Sequence, residues 1–434
     1  MSFITKTNKF TIYSILFFYI SYLINMNFLK KMEFLPFLFL LAGSFIMFLR
    51  KNHFNSSLNH YHIYIILYTL ILAISLVMSA FFSIKPMFSL LRIFITILIF
   101  IISFYFFWQL CDSLFIQKRN MKIWEVAFAL FFVLIIIGQL IIPDWKSGIS
   151  GIRLSGGTNP NFVSFFAFFI MITTHFYSIG NGWSKRRVFL YILSLIIIVW
   201  SMSRSVLLSV GVLWLSYGMF LALKQINFLI KGKFKRNRLA FPLVIIAGGV
   251  FSFLLWEMFK QLTISDVIFS RLTSSGGWET RMAAWKVLWP YFTNNIWFGT
   301  AGWWNATHIL DEKWQPGMAT SPHNLYIRLL AEVGIVGTIM IISLPVVLIF
   351  LLLLKCLREY KVNLYYNQNI FLTSTLLALL IGQFFEDRYL VGIAGLGNSI
   401  VIFCFVLCFH YLIKGREYIN IKNKNDLFKQ DLKI

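Results

Sequence analysis

The chain has 434 residues, 59% of them hydrophobic, 18% aromatic and only 13% charged, with a net charge of +23. Soluble domains carry about a quarter of their residues as Asp, Glu, Lys and Arg, so this composition excludes a soluble globular enzyme. The surplus of cations has no soluble basic face to sit on, which excludes nucleic acid as a partner.

Apolar runs recur from end to end, many of them about 17–25 residues long, as a ~30 Å hydrocarbon core requires. Twelve are predicted, at roughly 10–28, 34–49, 63–81, 88–110, 123–142, 160–179, 188–203, 205–223, 240–256, 334–354, 369–385 and 389–413. In lipid each must be helical, because every backbone group has to be satisfied within its own segment. The expected class is therefore all-α: a polytopic integral membrane protein of about twelve transmembrane helices in the lipid bilayer. The second run is short, and only Met202–Arg204 separate the seventh from the eighth.

The first run follows Lys6 and Lys9 as in a signal peptide, but no small-x-small cleavage site follows, so an uncleaved anchor is expected. Arg50/Lys51, Lys118/Arg119/Lys122, Lys185–Arg187, Lys224 to Arg238, Lys355/Arg358/Lys361 and Lys414 to Lys433 fall on the same side as the N-terminus. The bias of basic residues to that side predicts N-in, C-in. The resulting organisation is helices one to nine in 1–256, an extracytoplasmic loop with short amphipathic helices in 257–333, helices ten to twelve in 334–413, and a cytoplasmic tail in 414–434. The four cysteines show neither zinc spacing nor an exported pair, and no internal repeat has a solenoid period.

Polar features on the outer side follow in chain order. Arg153–Asn161, RLSGGTNPN, combines a fixed cation with the amides of Asn159 and Asn161; it also reads as a plain turn into a helix. Ser201–Ser205, SMSRS, puts Arg204 at the outer boundary, where an arginine either snorkels or binds phosphate. The long loop carries Arg271, GGWETR with Arg281, and the run MAAWKVLWPYF, in which Ala283–Tyr291 look amphipathic. Trp278, Trp285, Trp289, Trp297, Trp303, Trp304 and Trp314 all lie here, half of the 14 tryptophans. They suit an interfacial belt or stacking against sugar rings.

The loop closes with SPHNLYIRLLAEVGIVG, Ser321–Gly337. Here His323 and Asn324 lead into a helix with Arg328 and Glu332 at i,i+4, before a Gly-x-x-Gly start to the next span. Titratable groups at a membrane mouth are costly and point to a site. A neutral imidazole there can take a proton from a hydroxyl near pH 7. Glu386-Asp387-Arg388 form a last outer cluster, read either as a surface turn or as support for the arginines. Arginines at an outer mouth suit a lipid diphosphate, an anionic leaving group that needs charge stabilisation.

The order RLSGGTNPN, SMSRSVLL, TRMAAWKVLWPYFTNNIWFGTAGW, PHNLYIRLLAEVGIVG resembles the O-antigen ligase and polymerase family of bacterial membrane glycosyltransferases. The resemblance covers about 150–340. It departs at Asn295–Gly299, where members carry a proline before the turn glycine. The resemblance implies a C-type all-helical glycosyltransferase of the inner membrane, with its site facing the periplasm or exterior. It implies transfer of glycan from an undecaprenyl-diphosphate-linked oligosaccharide, with no cofactor and no metal. Arg204 and Arg281 would bind the diphosphate, and His323 would act as base or position the acceptor. Arg153, Asn159, Asn161, Asn324, Arg328, Glu332 and Arg388 are the substrate-binding candidates.

The expected reaction is polymerisation, a sugar hydroxyl of another lipid-linked repeat unit being the acceptor. The alternative is a ligase moving finished glycan to lipid A-core or another acceptor. A flippase or chain-length regulator is a further partner implied by the family. A transporter or lipid flippase is a third reading, disfavoured by how few charges the spans carry; Arg92 is the clearest intramembrane ion.

Overall fold

The structure is a computed structural model that describes residues 14–16, 60–116, 118–141, 154, 160–201, 203–230, 276–359, 363–384, 386 and 396–414. The predicted spans at 34–49 and 240–256, all but 14–16 of the span at 10–28, the tail after 414, and the candidates Arg153, Asn159 and Arg388 lie outside the described residues. Those described fold into helices, with no strand among them.

In chain order these are α1 (His60–Phe81), α2 (Pro86–Cys111), α3 (Lys118–Ile141), α4 (Pro160–Asn181), α5 (Lys185–Ser201), α6 (Arg204–Ile230), α7 (Gly276–Thr293), α8 (Ala306–Glu312), α9 (Leu325–Arg358), α10 (Asn363–Gly382) and α11 (Leu396–Lys414). A π-helical turn, Asp112–Ile116, follows α2. Five helices have stretches long and apolar enough to cross a membrane: Pro86–Cys111, Asn120–Leu140, Pro160–Asn181, Arg204–Lys224 and Leu325–Arg358. The shorter stretches Leu67–Phe81 and Ile400–Lys414 are also apolar. The protein is thus an all-helical membrane protein.

Burial follows from sequence. α4 is apolar on every face, and nearly all of it is buried, from Phe162 to Tyr177; such a helix belongs at the centre of a bundle. It packs on α5, α10 and α11, while α6 pairs with α10 and α2 with α11. α2 begins at Pro86, where a missing N–H costs nothing. Outward faces carry apolar side chains such as Leu91, Phe94, Leu215 and Phe350, as expected where lipid is the solvent.

The two ends of the bundle differ. At one, the Asp112 carboxylate meets His410 Nε2 at 3.0 Å and Lys414 Nζ at 2.9 Å, Arg187 pairs with Glu125 at 3.1 Å, and Lys355 donates to the Tyr411 carbonyl at 3.2 Å. At the other end lie the N-termini of α4, α6 and α9, with α7 and α8 packed against α9. The loop helices have a small core of their own, built from Ala284, Leu288, Ile309, Leu310 and Met318. The loop is pinned to the bundle by the Ile84 N–H to the Thr300 carbonyl, 3.0 Å, and by Trp303 Nε1 to Thr96 Oγ1, 2.9 Å.

Candidate functional site

Three chain-distant motifs meet at one residue, Glu386. Glu386, 3% exposed, accepts from Asn161 Nδ2 at 2.9 Å and from Ser205 Oγ at 3.1 Å on the same oxygen. Its backbone carbonyl accepts from the Leu325 N–H at 3.1 Å, an N–H shared with the Gln383 carbonyl at 3.0 Å. Asn161, Ser205 and Leu325 each lie in the first turn of α4, α6 and α9. Three helix N-termini, each with a partial positive charge, are therefore gathered around one point. Arg204, the first residue of α6, is part-exposed beside Ser205. Leu154, the one described residue just before α4, is buried and donates its N–H to the Trp200 carbonyl at the end of α5, 3.2 Å away.

The Pro-His-Asn turn adjoins this point. Asn324 is the N-cap of α9; its side-chain oxygen accepts from the Ile327 N–H at 3.1 Å, so that oxygen is engaged in capping. His323, just before it, has φ +46, a left-handed conformation that few side chains adopt. Its ring is part-exposed, and among the described residues its buried Nδ1 has no hydrogen-bond partner. Backbone strain together with an unsatisfied ring nitrogen is typical of a working residue rather than a structural one.

α7 is fastened to this turn at two points. Trp285 Nε1 donates to the Pro322 carbonyl at 2.7 Å, and the Ala319 N–H to the Thr280 carbonyl at 3.0 Å. Arg281 stands one turn before Trp285, on the face that leads to His323. The bonds on Pro322 and Thr280 hold the backbone at Arg281 and at His323 in fixed relation.

Arg328 and Glu332 have a different setting. They are 5% and 0% exposed, with Arg328 Nε 3.0 Å from Glu332 Oε1. The same oxygen accepts the Ala306 N–H at 3.0 Å, and Arg328 Cζ lies 4.4 Å from the centre of the Trp304 ring. Trp304 has φ +61 and its carbonyl accepts from Arg92 at 2.6 Å. Arg92, the intramembrane cation of the sequence, thus reaches from α2 to the loop rather than into a midplane cavity.

Below this pair α9 breaks at Gly334, φ +63. The N–H groups freed there are taken by the loop: Ile335 to the Ile296 carbonyl at 2.9 Å and Val336 to the Trp297 carbonyl at 3.1 Å. A Cβ on Gly334 would stand 2.4 Å from Trp297 and Phe298 backbone atoms, and one on Gly299 would stand 2.5 Å from the Ala331 carbonyl. Glycine is required at both. The turn that lacks proline is built by Asn295, whose side chain accepts from the Phe298 N–H at 3.1 Å and whose carbonyl accepts from Gly299 at 2.7 Å.

The structure therefore brings Asn161, Arg204 and the His323–Asn324 turn to one mouth, with Arg281 held alongside, and seats Arg328 and Glu332 beneath it in a closed network. Sequence reasoning left out Ser205 and treated Glu386 as part of a turn cluster. The signal available was an acid in an outer turn of a chain with only 16 acidic residues. The loop tryptophans divide: Trp303 is fully buried, Trp304 and Trp285 are built into contacts, and Trp278, Trp289, Trp297 and Trp314 are 46–63% exposed. Among the described residues no group of three or more His, Cys, Asp or Glu is placed to hold a metal ion.

Residues 189–342 match the family model described as O-antigen ligase. No curated protein matches the chain. The matched stretch contains Arg204, Arg281, His323, Arg328 and Glu332, while Asn161 and Glu386 join them from outside it. Over that stretch, about a third of the chain, the protein is similar to the O-antigen ligase family.

Proposed function

We propose that the protein is a membrane glycosyltransferase that polymerises undecaprenyl-diphosphate-linked repeat units at the outer face of the bacterial inner membrane. The observation that carries the reading is the strained, part-exposed His323 with an unpartnered Nδ1, next to three gathered helix N-termini and Arg204. Helix N-termini and arginine together favour a phosphate-bearing group. The bundle end rich in lysine and arginine lies opposite, which fits a cytoplasmic placement for that end and an outward-facing mouth.

In this mechanism the nascent chain's diphosphate lies against Arg204 and Arg281. The bond from the anomeric carbon to the phosphate oxygen breaks, and undecaprenyl diphosphate leaves with its charge balanced by the two guanidinium groups. A hydroxyl of the incoming unit forms the new glycosidic bond and gives its proton to His323. Asn161, Ser205 and Glu386 hold the helix ends in place, and Asn324 caps α9 beneath the imidazole. Arg153, Asn159 and Arg388 are proposed to add contacts to the same substrate. Exposed Trp278 and Trp289 offer flat faces to sugar rings.

The test is complementation of a deletion strain with wild type, His323→Ala, Arg204→Ala and Arg281→Ala at matched protein levels, with surface glycan read on a gel. Loss of long chains with single units still attached to their final acceptor supports polymerisation. Full-length glycan left on undecaprenyl diphosphate makes the protein a ligase with the same site. Full activity in all three variants overturns the mechanism. Removal of a general base lowers rates about 10²–10⁴-fold, so His323→Ala is expected to abolish visible product without loss of protein.

A further inference from the structure

Away from the mouth, at the basic end of the bundle, a cleft of about 560 Å³ opens between α3 and α5. Its walls are apolar and face outward: Val126, Leu130 and Val133 from α3 are each about half exposed, and Phe189 from α5 is 60% exposed. Its head is cationic. Lys185 and Arg186, both exposed, line it in the first turn of α5. Exposed Lys122 lies one turn before Val126 on the same face of α3. The acid lining the cleft, Glu125, is engaged by Arg187 at 3.1 Å, so among the described residues it does not offset Lys185 and Arg186. From Glu125 to Val133 the cleft runs about 12 Å at 1.5 Å per residue, most of one leaflet of a ~30 Å hydrocarbon core.

We propose that this cleft binds one anionic phospholipid, its phosphate on Lys185 and Arg186 and an acyl chain along Val126–Val133 and Phe189. Charge at the head and hydrocarbon along one leaflet's depth are the two features such a molecule requires. The site is distinct from the glycan-donor site, which would lie at the other end of α5, about 25 Å away over 17 residues. The proposal does not depend on the proposed reaction.

The full-length protein, purified in mild detergent, would be examined by native mass spectrometry after addition of phosphatidylglycerol or phosphatidylcholine. One retained phosphatidylglycerol, not displaced by inorganic phosphate, is expected. The K185Q/R186Q double variant should weaken retention about tenfold or more, since each cation near an anionic headgroup contributes a several-fold preference. Leu130→Trp, which fills the cleft and leaves the charges in place, should weaken it as well and guards against an effect of the double variant on insertion. Equal retention of both lipids, unchanged retention in both variants, displacement by phosphate alone, or an experimental map with another segment of this chain in the cleft would each overturn the proposal.

Discussion

Two neighbourhoods only a few residues apart treat polar groups in opposite ways. At Arg328 and Glu332 the charges are fully buried and answered: guanidinium on carboxylate, carboxylate on the Ala306 N–H, guanidinium over Trp304. At His323 the ring is part-exposed, its Nδ1 unanswered and its backbone left-handed. On the proposed function, the difference separates scaffold from chemistry. A network that satisfies its own members fixes geometry and has little capacity left for substrate. A group held in place but left unsatisfied is available to one.

The comparison yields a ranked set of tests. Glu332→Gln should be the most damaging to folding, because removing one partner of a buried pair costs about 3–5 kcal/mol. Loss of protein from the membrane or a large drop in thermal stability in detergent is expected; a normal melting curve would break the assignment of this pair to the scaffold. His323→Ala should behave in reverse, with activity lost and thermal stability unchanged or raised, since the alanine removes an unsatisfied buried nitrogen.

Glu386→Ala should fall between the two. It strands Asn161 and Ser205, a loss of about 1.5–3 kcal/mol for hydrogen bonds to a charged group, and should lower activity in parallel by releasing two of the three helix ends. Asn324→Ala removes the cap and should cost about 1 kcal/mol, seen as a small fall in melting temperature. The smallest effect is expected at the loop surface. Lys85 bonds Glu312 at 2.9 Å and holds its carboxyl below the usual range, but both are well exposed. A lowered carboxylate contributes stability above its unfolded value and loses it as pH falls through the folded one; here the exposure makes this slight, and Lys85→Ala should leave the melting temperature unchanged at neutral pH.

The helices at 60–81, 86–111, 118–141 and 160–181 were legible because hydrocarbon permits little else, and their apolar runs mark their ends within a few residues. Arg204, Arg281 and His323 stood out as candidates because they are rare polar types on an apolar background. What could not be read was how distant motifs join. Nothing in the local pattern of Ser205 or Glu386 says that they share a hydrogen bond across 181 positions. Nor does the string AEVGIVG state that Gly334 breaks the helix so that residues 296–299 can complete it; only the closeness of the two backbones does. The same limit applied to the tryptophans, whose burial depends on tertiary position and not on their neighbours in sequence.

The place of Glu386 in the chain has a consequence for biosynthesis. Asn161, Ser205 and Leu325 all emerge from the ribosome before Glu386, whose carboxylate holds the first two and whose backbone carbonyl holds the third. Until residue 386 is made, the N-terminal ends of α4, α6 and α9 lack their common tie, so this end of the bundle is assembled late in membrane insertion. A nascent chain stalled before that point would have Arg281 and His323 tied through Thr280 and Pro322 but would lack the tie that sets α6, and with it Arg204, against them; on the proposed function it would not act on lipid-linked glycan before the protein is nearly complete.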